Sequence, residues 1–243
     1  MANRQEQKAE RKAAREQAAR EEAARAKRAR LLQFGVGGLL VVAILAGLIV
    51  LATTSSGGGG GDEPIAAGGE DDEALADVPL PPQRFEELKA AVEASGCVLE
   101  EAEDQGGQHL TEDVPLDYYN TNPPSSGNHN PVPAQDGVYP AGSSPDHEAW
   151  LHSLEHGRIV FQYKPGTEEE QIDTLRALTQ EPVLGAPGGY HTLVMENSTE
   201  MPYAFAAVNW TRFLGCQELN PASIDAMRLF REEYTDDAPE RVP

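Results

Sequence analysis

Histidine is the residue type in this chain whose spacing offers the most chemistry. His109, His129, His147, His152, His156 and His191 all follow residue 100, and they crowd toward the stretch from His129 to His156. His152 and His156 are four apart in a segment that reads as helix, so their imidazoles leave one face about a turn apart. That is the spacing by which a helix supplies two nitrogen ligands to one metal. His129, in the loop before that helix, completes a three-histidine set. Imidazoles alone suit zinc or copper, and Met195 or Met201 joining them would tilt the site toward copper. The plainer account of the same spacing is a hydrogen-bonded helix end, with His156 near the C-terminal dipole.

Glu155 stands between the two helical histidines, in His152-Ser153-Leu154-Glu155-His156. This matches H-x-x-E-H, in which the glutamate serves as the base of a zinc peptidase, and so keeps open a metal-dependent hydrolase with Glu155 as base. A five-residue match is weak on its own, and the domain is small for a peptidase chamber. The preferred expectation has His129, His152 and His156 as ligands, with Glu155 orienting a ligand or bound water and Arg158 anchoring a carboxylate of the same loop. A rival from another class is a metal-free interaction module of the cell envelope, whose proline-rich loop docks a protein partner. Cys97 and Cys216 are the only cysteines. In an oxidising setting they are expected to pair as a structural disulfide.

These residues need a scaffold. Helical periodicity predicts helices over residues 83–95, 148–156, 168–179 and 224–234, and strand patterning predicts strands over 158–163, 190–195 and 203–208. Asn120 to Pro145 carries Pro123-Pro124, Pro131 and Pro133, which forbid regular helix or central strand, and reads as a long functional loop. The expected fold is α+β, with a small, mainly antiparallel sheet flanked by helices and preceded by one transmembrane helix.

The first third of the chain reads differently. No charge occurs from Leu31 to Gly61, and Phe34 to Ala52 is apolar or glycine throughout, long enough to span a bilayer. The expected organisation is a basic cytosolic tail over 1–30, a transmembrane anchor over 31–53, a Gly-rich and acidic tether over 54–82, and an extracytoplasmic globular domain over 83–243. The tail has ten Lys or Arg against five Glu, a net of +5 that favours a cytosolic N-terminus. The whole chain carries −21, so −26 remains after Arg30. That charge disfavours nucleic acid and anionic lipid as partners and favours cations.

The run Tyr119-Asn120-Thr121-Asn122-Pro123-Pro124-Ser125-Ser126-Gly127-Asn128-His129-Asn130-Pro131, followed by Gly137-Val138-Tyr139 and then His152 to Tyr163, resembles a prokaryotic family known as domain of unknown function 3105. The resemblance runs from about Cys97 to Trp210. It rests most on the N-P-P-x-S-G-x-H loop and the L-E-H-G-R run. It implies an N-terminal membrane helix and assigns no activity. Its motifs fall on His129, Glu155, His156, Gly157 and Arg158, leaving His109, His147 and His191 outside.

Overall fold

The computed structural model describes residues 78–240. The expected tail, the membrane anchor and nearly all of the tether lie outside the described residues. Among the described residues no helix is long and apolar enough to cross a membrane.

Among the described residues four α-helices and six strands follow in the order α1 (Leu88–Ser95), β1 (Val98–Glu101), β2 (Gly137–Val138), α2 (His147–Glu155), β3 (Ile159–Tyr163), α3 (Glu169–Gln180), β4 (Thr192–Glu196), β5 (Phe205–Asn209), β6 (Arg212–Cys216) and α4 (Pro221–Tyr234), with one 3-10 turn over Leu116–Tyr118. The strands form one sheet in the order β1-β6-β5-β3-β4-β2. The β1–β6, β6–β5 and β5–β3 pairings are antiparallel, whereas β3–β4 and β4–β2 are parallel. The α+β class therefore stands, but the sheet is mixed rather than mainly antiparallel. The cause is α3, which lies between β3 and β4 and carries the chain back across the sheet, so that both strands run the same way.

Both faces of the sheet are covered. On one face Ile159, Phe161 and Tyr163 of β3 join Leu175 of α3 and Met227 and Phe230 of α4 in one apolar core. On the other, Val160, Leu193, Ala206 and Val208 meet Trp150, Leu151 and Leu154 of α2. All five residues of β3 are therefore buried, including Gln162, whose Oε1 accepts from Asn197.

Two elements depart from the sequence expectation in instructive ways. Helix α1 starts at Leu88 rather than at residue 83, because the Arg84 and Phe85 N–H groups donate to the Asp225 carboxylate of α4, which holds that segment open. Helix α4 starts earlier than expected, at Pro221. Asn220 caps it by accepting from the Ala222 and Ser223 N–H groups, and Pro221 is suited to the first turn. Cys97 and Cys216 form a disulfide that ties the start of β1 to the end of β6, with Cα atoms 4.4 Å apart.

Candidate metal centre

Helix α2 projects His152 and Glu155 toward the proline-rich loop, and its geometry follows from its ends and its packing. Its apolar residues Trp150, Leu151 and Leu154 are fully buried against the sheet, which fixes the helix rotation. Its C-terminus is closed by Gly157 at φ +83°, with the Gly157 N–H donating to Leu154 and the Arg158 N–H to Ser153. This left-handed closure explains the glycine in L-E-H-G-R. Ser153 Oγ donates to the Ala134 carbonyl (2.8 Å) and binds helix to loop.

The loop is equally built. Residues Pro123 to Gly127 are buried, and the Asn122–Pro123 peptide is cis. Tyr119 Oη donates to the Asn128 carbonyl at 2.8 Å, and the Thr211 N–H donates to the Ser125 carbonyl at 2.7 Å. Thus the tight β5–β6 turn, which carries Trp210, docks against the loop, and the Trp210 ring stands edge-on to His129. His109 arrives from the segment after β1. A parallel bridge joins it to His129, with the Leu110 N–H donating to the His129 carbonyl at 2.7 Å and the His129 N–H to Gln108 at 3.0 Å.

The outcome is a cluster of His109, His129, His152 and Glu155, whose ligand atoms all lie within 4.8 Å of one another. Glu155 Oε2 is 3.1 Å from His129 Nε2 and 3.3 Å from His109 Nε2. His129 is fully buried, His152 and Glu155 nearly so, and His109 faces solvent. Two imidazoles are oriented from behind. His129 Nδ1 donates to the Gly127 carbonyl (2.8 Å) and His152 Nδ1 to the Asn130 carbonyl (2.7 Å), leaving each Nε2 with a lone pair to offer, that of His152 accepting from His156 Nε2. Burial pulls the His152 pKa down to about 4; the Asn130 hydrogen bond opposes this, and the rings of His156, His129 and His109 add to it. His152 is therefore a neutral base at pH 7. Gly107 passes so close to Glu155 Oε1 that a Cβ there would collide with it.

The expected ligands are thus only partly grouped. The structure brings His129 and His152 together, adds His109, and places Glu155 among the ligand atoms rather than behind them. His156 lies outside the group of four, its Nε2 3.0 Å from His152 Nε2. Arg158 Nε donates to Asp136 of the loop at 3.2 Å, and its Nη1 to the His156 carbonyl. Met195 and Met201 are buried in the apolar core under α2. His147 is spent on Glu148 and the Val114 carbonyl, and His191 on Asp236. Nothing local in the sequence marks His109, since a bridge to His129, twenty residues further along the same chain, places it.

A family model described as a protein of unknown function, DUF3105, matches residues 109–242, more than half of the chain. The chain belongs to this family. No curated protein and no solved structure matches it. The DUF3105 span contains all four members of the cluster, His109 being its first residue, and it contains Cys216. Helix α1, Cys97 and β1 precede it. The family assignment carries no activity, so the chemistry has to be argued from the cluster.

Proposed function

We propose that this protein is a membrane-anchored, outward-facing metal-binding protein, in which His109, His129, His152 and Glu155 hold one transition-metal ion, zinc or copper. The observation that carries the reading is the convergence of three imidazole nitrogens and one carboxylate oxygen in a largely buried place. A carboxylate shut away from water needs a counter-charge. Among the described residues, the side chains within ion-pair distance of Glu155 are His109 and His129, and an imidazole is a counter-charge only when protonated. A divalent cation supplies the missing charge. Three neutral nitrogens and one carboxylate form a borderline donor set that suits zinc or copper(II) better than calcium or magnesium.

Anchoring rests on the uncharged stretch over 31–53, and orientation on the basic residues before it. The Cys97–Cys216 disulfide suits an oxidising exterior. The test is elemental analysis of the full-length chain, purified without a histidine tag, beside His109→Ala, His129→Ala and His152→Ala. Near-stoichiometric zinc or copper that is lost in the variants supports the reading. A wild-type chain that takes up neither ion on titration overturns it and leaves the metal-free envelope module in its place.

A further inference from the structure

Next to the four-residue cluster stand two further side chains of types that can ligate a metal, His156 and Glu240. His156 Nε2 lies 3.0 Å from His152 Nε2, and Glu240 Oε2 lies 3.4 Å beyond it. On this side of the cluster exposure rises from a fully buried His129 side chain to 12% at His156 and 50% at Glu240, while His109, at 41%, meets solvent directly. Glu240 is held in place rather than adrift. Its N–H donates to the Glu155 carbonyl at 3.1 Å, and four residues earlier the Asp236 N–H donates to Gly157 at 2.9 Å. The segment after α4 is therefore strapped across the end of the helix that carries His152 and Glu155.

We propose that His156 and Glu240 form an outer station where a hydrated divalent metal ion is held while it passes between solvent and the inner cluster. This inference rests on the metal-binding reading of that cluster. The geometry supports it in two ways. Two donors bonded to one zinc or copper ion at about 2.0–2.2 Å stand roughly 3–3.5 Å apart. The His152–His156 and His156–Glu240 separations are both spans that a single ion bridges. Second, His152 commits Nδ1 to the Asn130 carbonyl, so its one available lone pair is on Nε2, which faces His156 Nε2 at 3.0 Å, and His152 is also a member of the inner cluster.

An ion on His156 and Glu240 can thus take His152 as a water leaves it. It then trades Glu240 and His156 for Glu155 and the inner histidines, one ligand at a time. The proton on His156 Nε2 that joins the two rings in the metal-free protein passes, through water, to His156 Nδ1 when the ion takes its place, so both rings bind as neutral imidazoles. No electron transfer is involved, and each bond to the metal that breaks is replaced by another.

A station on the path changes both directions of exchange equally and leaves the equilibrium alone. The full-length chain, Glu240→Gln and His156→Gln would each be loaded with Zn²⁺ alone and then stripped by a chromophoric chelator in a stopped-flow instrument. Binding stoichiometry and Kd would come from a parallel titration. Glu240→Gln is the cleaner probe, because its side chain is half exposed and its backbone bond to Glu155 is kept. The expected result is loading and release both slowed about tenfold, with Kd within about twofold of wild type. Unchanged rates in both variants overturn the proposal. So does weaker binding with faster release in His156→Gln, which makes His156 a standing ligand. A wild-type chain that binds no Zn²⁺ fails at the titration, and that outcome removes the inner-site reading along with the station.

Discussion

At the scale of single residues the cluster is defined by what faces each donor atom. Glu155→Gln keeps the volume and removes the charge, and His129→Ala removes a fully buried nitrogen whose Nδ1 is already fixed by Gly127. Each is expected to weaken Zn²⁺ binding by at least about 10–100-fold, the range typical even of the groups that orient metal ligands. A ligand that binds only the folded state at a hundred times its Kd stabilises it by about 2.7 kcal/mol. Denaturation with and without Zn²⁺ should therefore show a gain of that order in the wild type and little in either variant.

The pKa of His152 makes a second prediction, with a definite sign. Its folded pKa is about 4, below the ordinary 6.5, and burial is the first cause. Between those values the unfolded chain binds the proton and the folded chain does not. His152 thus contributes stability that is fully present above pH 6.5 and is lost as the pH falls toward 4, about 3 kcal/mol in all. His156 is lowered too, by burial and then by Arg158, and adds in the same direction. Urea midpoints in chelator at pH 7.5, 5.5 and 4.5 should fall more steeply for the wild type than for His152→Gln. Parallel falls would deny His152 this role.

At the scale of elements the loop, α2 and the turn that closes it set the donor geometry. Gly157→Ala forces a left-handed backbone on alanine and drives its Cβ to 2.7 Å from the Asp236 Cα. We expect a loss of about 1–3 kcal/mol by chemical denaturation, because neither backbone can step aside without breaking the Asp236–Gly157 hydrogen bond. Gly107→Ala acts elsewhere. Its Cβ strikes Glu155 Oε1 and comes within 3.1 Å of the His129 ring. It should weaken Zn²⁺ binding about tenfold while costing less than about 1 kcal/mol of metal-free stability, as expected where the strain falls on one side chain. Titration and denaturation together separate the two effects.

The same elements mark the limit of what the sequence discloses. Helix α2 was legible because its apolar spacing and its terminal glycine are local signals, and so were the prolines that define the loop. The share of His109 in the cluster was not, since a parallel bridge to a residue twenty positions on leaves no period to read. Strands β1 and β6 were missed for opposite reasons. Every residue of β1 is exposed, so Val98-Leu99-Glu100-Glu101 shows no alternation. In β6 a glycine interrupts the run, because Gly215 gives room to the Tyr203 ring. The β5–β6 turn uses Trp210 and Thr211, with Thr211 at φ +64°, instead of the Asn-Gly or Asp-Gly that announces a hairpin.

At the scale of the whole molecule, the disulfide decides how securely the cluster is held. Cys97 and Cys216 are 119 residues apart, so the loop they close contains the proline-rich loop, α2 and all four cluster residues. The bond also fixes β1, whose sole strand partner among the described residues is β6, and His109 lies eight residues beyond the end of β1. In the chain-entropy account, closing so long a loop stabilises the fold by about 4–5 kcal/mol. The Cys97→Ser, Cys216→Ser double variant should lose a large part of that in denaturant, with β1 and the segment leading to His109 the first to lose amide protection in hydrogen exchange. The decisive comparison adds Zn²⁺. If His109 is a ligand, the metal clasps the same segment that the disulfide holds at its other end, and Zn²⁺ should restore protection around residues 105–110 in the double variant. If it restores protection only on α2 and the loop, His109 does not take part.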